Sequence, residues 1–328
     1  MRGLALMLVA VALLATVPLL TSSNVVLNFL VVALLIALVG QGWNVLGGYG
    51  GQYSFGHAAF FGTGAYVTGI LQVRYGVNAW AGLVIGIAAG ALVGACIGAL
   101  SFRSGLRGSY FALVTLAFAE VLRIIASVAP ITGAGVGTLV RLDLRQDLLE
   151  AFRAFQFQSR APFYWIILGF VAVSLLLAQW IEKTRFGAYL VAVRENEDAA
   201  MAAGVDVVRV KQHAMILSAA ITAAGGCFYT QYFLFVDAGI AYGTWISVEA
   251  LLAPIIGGIG TVCGPLLGAL VVRTLGELTK HVAGPAPGLD LMIYGAVLVL
   301  VVAFAPRGIM GFIVSAHNAL RRKGRADG

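Results

Sequence analysis

The chain has 328 residues, 60% of them apolar and only 11% charged, with a mean hydropathy of +0.95. Soluble domains carry about 25% charged residues, so this composition excludes an ordinary water-soluble fold and points to lipid as the solvent. The net charge of +7 sits in short loops and near the C-terminal end, which fits retention on the cytoplasmic side and not nucleic-acid binding.

Apolar runs predict helices over 4–20, 25–46, 54–72, 79–101, 109–129, 162–182, 213–235, 246–260, 263–280 and 288–306. A run of about 20 residues crosses a hydrocarbon core of roughly 30 Å, and a helix satisfies its backbone polar groups within one segment. The expected fold is an all-α polytopic membrane protein: one membrane domain over 1–328, with about ten transmembrane or half-spanning helices and Gly-rich breaks. The first run, "MRGLALMLVAVALLATVPLL", shares its basic start and apolar middle with a signal peptide. It lacks a small-x-small cleavage pattern, and a second apolar run follows at once, so an uncleaved first span is preferred.

The stretch "GGYGGQYSFG" (47–56) holds five glycines in ten residues. Gly47, Gly48, Gly50 and Gly51, with Asn44, Gln52 and His57 around them, are candidates for a translocation path or a hinge, because polar groups at membrane depth are functional by default. Hydrogen bonding between helices accounts for Asn, Gln and His equally well. Further on, Glu120 and Arg123 lie three apart inside an apolar span, on one helix face. Mutual neutralisation as an intramembrane ion pair is preferred over a direct role with a substrate.

The loop 130–161 is placed outside by parity, against the positive-inside rule, since it carries four arginines. The loop 183–212 is placed in the cytoplasm, with Lys183, Arg185, Arg194, Arg209 and Lys211; the tail "RRKGR" (321–325) puts both termini on that side. Within it, Phe186, Tyr189, Leu190 and Val193 form a one-sided stripe at helical spacing. Arg194, Glu195, Glu197 and Asp198 then crowd together ahead of Ala199 and Ala200, and Gly204 is the expected stop. Such a helix suits a partner, because small alanines admit another backbone and the charges set its register. A solvated surface helix explains the pattern as well.

"PIIGGIGTVCGP" (254–265), with four glycines and two prolines, splits 246–280 into two short helices meeting within or near the membrane. Gly257, Gly258 and Gly260 join the path or hinge candidates; a single kinked helix is the alternative. Cys96, Cys227 and Cys263 show neither metal nor disulfide spacing and read as packing residues. No nucleophile–base pair, metal cluster or P-loop appears, so neither catalysis nor a cofactor is expected.

Asp198-Ala199-Ala200-x-x-x-Gly204 resembles the "EAA---G" loop of ABC importer permeases, with Asp for Glu and without the downstream Leu-Pro. "WNVLGGYGGQYSFGHAAFFGTGAY" (43–66), "LRGSYFALVTLAFAEVLRI" (106–124), "VRENEDAAMAAG" (193–204), "GGIGTVCGPLLGA" (257–269) and "APRGIMGF" (305–312) resemble, in order, the branched-chain amino-acid branch, and most the longer of its two permease subunits. The resemblance implies ATP-driven import in a bacterial inner membrane, with ATP hydrolysis in separate subunits. It implies as partners a second homologous permease, two ABC ATPases, a periplasmic substrate-binding protein and membrane lipid. Arg194, Glu195, Asp198, Ala199, Ala200 and Gly204 would then face an ATPase. A urea or short-amide permease looks alike at this level, whereas an ion-coupled secondary transporter should carry more intramembrane carboxylates.

Overall fold

The computed structural model describes residues 2–21, 23–143, 147–283 and, beyond them, 292, 293, 295, 296, 299 and 308–311. The predicted helix 288–306 falls mostly outside these residues, and the basic tail 321–325 wholly so.

Nine helices of alternating direction build the bundle among the described residues: α1 (Arg2–Leu20), α2 (Asn24–Trp43), α3 (His57–Tyr75), α4 (Ala79–Arg103), α5 (Gly108–Val128), α7 (Ala161–Lys183), α10 (Val207–Phe233), α12 (Thr244–Gly257) and α13 (Gly264–Ala283). The short helices α6 (Leu148–Ala154), α8 (Arg185–Glu195), α9 (Glu197–Ala202) and α11 (Ala238–Ala241) lie between them. Among the described residues five segments are long and apolar enough to cross a membrane by composition alone; α1 is apolar but counted as shorter, and α3, α10 and α13 are not among them. For α10 the reason is position. Helix α10 is buried along most of its length, so its Thr, Gln and Gly residues meet other helices and not lipid.

What lets α10 sit so deep is a glycine ladder in α4, where Gly82, Gly86, Gly90, Gly94 and Gly98 recur every fourth residue. A Cβ added at Gly90 would lie 2.3 Å from the Cβ of Ala223, and one at Gly94 2.4 Å from that of Ala219. Small residues at this spacing let two membrane helices approach closely, so dispersion replaces the hydrophobic drive that lipid does not supply. Helix α3 packs on the same helix, with Gly226 against the Phe61 carbonyl. The outer helix α5, by contrast, buries only Phe111, Thr115, Ala119 and Ala126 and turns Leu113, Val121, Ile124 and Val128 outward.

Several boundaries differ from expectation. Helix α2 ends in a π-helical turn, Asn44–Tyr49, and α10 starts six residues before 213. Helix is not the only element: β1 (Thr138–Leu139) pairs antiparallel with β2 (Phe235–Val236), in register Thr138↔Val236 and Leu139↔Phe235. From the start of α4, Trp80 packs on Phe155 of the 130–161 segment, with ring centroids 4.5 Å apart and planes tilted by 30°, and donates to the Phe152 carbonyl at 2.7 Å. With Arg74 of α3 donating to the Pro130 carbonyl at 2.6 Å, these contacts join the C-terminal ends of α3 and α10 and the start of α4, so the segment covers the end of the bundle opposite α8 and α9. The break at 254–265 separates the 14-residue α12 from a 20-residue α13, so only one of the two helices is short.

Candidate coupling site

The predicted charged helix is two helices. Asn196 leaves helical geometry at φ −160°, ends α8, and caps α9 by accepting from the Ala199 amide at 3.0 Å. Its stripe is partly as expected: Leu190 and Val193 are buried, Phe186 is half-buried, and Tyr189 turns outward. Ala200 faces inward and Ala199 outward, so the two alanines do not form one small surface. Gly204 closes α9 with φ +85°, donating to the Met201 carbonyl at 2.9 Å. A left-handed residue there suits glycine, which has no Cβ to clash.

The two Gly-rich breaks, far apart in sequence, meet at this end of the bundle. Asn44 donates to the Thr261 carbonyl at 3.0 Å and accepts from the Gly260 amide at 2.8 Å, so one side chain ties both turns. Arg194 reaches in from α8 and donates to the Gly48 carbonyl at 3.0 Å. A Cβ at Gly51 would lie 2.6 Å from Arg194 Cγ, and one at Gly50 3.3 Å from a Leu190 methyl. Tyr49 donates to Glu182 at 3.0 Å, binding the same turn to the end of α7. Gly257 lies so close to α13 that a Cβ would fall 1.7 Å from the Gly264 carbonyl oxygen. Gly47, Gly48, Gly257 and Gly258 are buried in packed backbone. They allow close approach between elements.

His57 does not join this cluster. It starts α3, is fully buried, and shares a 2.9 Å hydrogen bond with Ser218 of α10. Gln52 does join it, donating to Glu197 at 3.3 Å.

Glu197 is the residue that sequence reading missed. Its carboxylate takes Arg107, from the α4–α5 turn, at 3.0 Å and also pairs with Lys211 on α10. Lys211 is only 5% exposed and Glu197 15%, so their attraction is little screened by water. In the sequence Glu197 is one of four crowded charges, and nothing marks it out. Its two cations come from the α4–α5 turn and from α10, so no local pattern marks the site. Glu195 and Asp198 stay outside, 69% and 76% exposed, beside exposed Val191 and Met201.

Glu120 and Arg123 pair with each other, with Arg123 Nε 2.9 Å from a Glu120 oxygen. They point out of the chain, 46% and 37% exposed. Cys227 and Cys263 are buried, whereas Cys96 lies on the exposed side of α4.

Apolar helices of membrane-crossing length, joined at one end by hydrogen-bonded glycine turns, make the chain a polytopic α-helical membrane protein. The chain belongs to the branched-chain amino acid transport system permease family, whose pattern matches residues 25–302. It is similar to the high-affinity branched-chain amino acid transport system permease protein LivM of Escherichia coli K12, 27% identical over 324 residues, covering 93% of this chain and 74% of that one. The corresponding LivH of the same strain is 24% identical, covering 84% of this chain and 91% of LivH. The L-arabinose ABC transporter permease protein AraH of Azospirillum brasilense is 28% identical, over 70% of this chain and 66% of its own. No solved structure matches the chain.

Proposed function

We propose that this chain is a membrane-spanning subunit of an ATP-driven importer for branched-chain or similar apolar amino acids. A second permease completes the membrane unit, two ABC ATPases act from the cytoplasmic side, and a periplasmic binding protein delivers the substrate. Helices α8 and α9 form the contact with an ATPase: Glu195, Asp198 and Ala199 present a charged edge beside Val191 and Met201. The observation that carries this reading is the junction beneath that edge. Arg194 is bonded to the turn that ends α2, and Asn44 bonds that turn to the one between α12 and α13. A push on α8 therefore acts on three spans through hydrogen bonds and closely packed glycines.

The test is reconstitution of the chain with its co-expressed ATPases, second permease and binding protein in vesicles. Leucine uptake driven by ATP is expected, and Asp198→Arg should abolish it while leaving the subunits assembled. Uptake unaffected by Asp198→Arg would remove α9 from the contact. A sugar permease is the second reading, favoured by the L-arabinose and fructose permeases among the relatives. Uptake of arabinose in place of leucine by the same vesicles decides for it.

A further inference from the structure

A cavity of about 220 Å³ opens among α2, α3, α10, α12 and α13, away from the coupling junction. One wall is the face of α2 that recurs at Asn28, Val32, Leu35 and Ile36; Phe61 and Trp245 close the sides. Into this apolar space the chain places two opposite charges. Glu249 lies one turn after Trp245 on α12, and Arg273 comes from α13. Arg273 spends one nitrogen on Glu277 at 2.6 Å, but its Nε is buried with no hydrogen-bond partner. A charged group inside a membrane bundle with an unused donor is a candidate for holding a ligand.

The geometry points to a binding site for a single zwitterionic amino acid with an aliphatic side chain. This rests on the proposed transport of apolar amino acids and locates within this subunit a site they visit. The substrate carboxylate takes the Arg273 Nε–H, its ammonium group lies toward Glu249, and the side chain packs on Leu35, Ile36 and Phe61. Ligand sites commonly combine an apolar lining with a few convergent polar groups. The volume leaves room for one amino acid of leucine's size. A sugar would leave the apolar wall without a match and hydroxyls without partners.

The test uses photo-leucine, the diazirine analogue of leucine, irradiated with the full chain purified in lipid nanodiscs with its co-expressed partners. Label is expected on segments 28–39 and 245–250, displaced by leucine but not by isoamylamine, isocaproate or arabinose. Arg273→Met should weaken displacement by leucine about tenfold or more, the loss expected of a charge-assisted hydrogen bond. Val32→Trp, which fills the space and keeps both charges, should do the same without shifting the melting of the complex. Label that leucine does not displace, as in a groove holding lipid chains, overturns the assignment, and so does equal displacement by isoamylamine. Leucine uptake by vesicles carrying the whole transporter is measured alongside. Uptake without displaceable label removes the cavity alone; absence of both removes the transport reading as well.

Discussion

Arg194 Nη1 donates to the carbonyl oxygen of Gly48 at 3.0 Å, joining residues 146 positions apart. This bond makes α8 a lever on the end of α2. Arg194→Ala removes it while leaving Leu190 and Val193 packed, so the fold should lose only about 1–3 kcal/mol, the worth of one charged hydrogen bond. Transport should fall at least about tenfold, with ATP hydrolysis by the assembled complex nearly unchanged. Paired uptake and hydrolysis measurements in vesicles check this. Equal losses in both would mean that Arg194 serves assembly and not transmission.

Glu197 holds Arg107, Lys211 and Gln52 together. Glu197→Gln leaves the Lys211 ammonium buried without its counter-charge, which should cost about 3 kcal/mol. Lys211→Met in the same chain should recover part of that loss, since a buried pair replaced on both sides costs little. Melting of the single and double variants in detergent gives the coupling between them. A Glu197→Gln chain that melts with the parent would show that the pair contributes no net stability.

The apolar helices were legible because a membrane imposes length and apolarity on lipid-facing spans; the buried α10 escaped that rule and was read six residues short at its start. Both breaks were legible because glycine and proline clusters suit no helix interior. Their meeting was not: Asn44 and Gly260 lie 216 positions apart, and no local pattern encodes a contact of that range. The glycine ladder of α4 was open to view at Gly82, Gly86, Gly90, Gly94 and Gly98, and reading for spacing in place of breaks reveals it. His57 is near Gln52 in sequence but apart from it in the fold, because the start of α3 turns it toward Ser218. In α8 and α9 the charges were plain but their division of labour was not. Burial separates Glu197 from Asp198, and burial depends on Arg107 and Lys211, which belong to other elements.

The contact between α12 and α13 should be intolerant of a single methyl group. A Cβ at Gly268 would lie 1.7 Å from the Ala253 carbonyl oxygen, a backbone atom that cannot turn aside. Gly268→Ala should therefore separate the two helices, costing about 1–3 kcal/mol as overpacking. Gly169→Ala in α7 meets nothing within 4 Å and should be neutral, or stabilising by up to about 1 kcal/mol through helix propensity. Thermal melts of the two variants beside the parent test the contrast. Equal tolerance would mean that the α12–α13 spacing is not fixed by glycine.

Glu120 and Arg123 sit on the outward face of α5, surrounded by exposed Leu113, Val121 and Ile124. Lipid chains offer neither of them a partner, so the pair is tolerable there because each charge answers the other. Arg123→Met leaves a lone carboxylate on that face and should lower the yield of assembled complex sharply. Adding Glu120→Gln should bring the yield back, because no charge is then stranded. If the pair serves only its own neutralisation, the double variant should also transport at close to the parental rate. Uptake by vesicles, normalised to the amount of complex, separates the cases. A double variant that assembles fully yet does not transport would place these two charges in contact with what passes through.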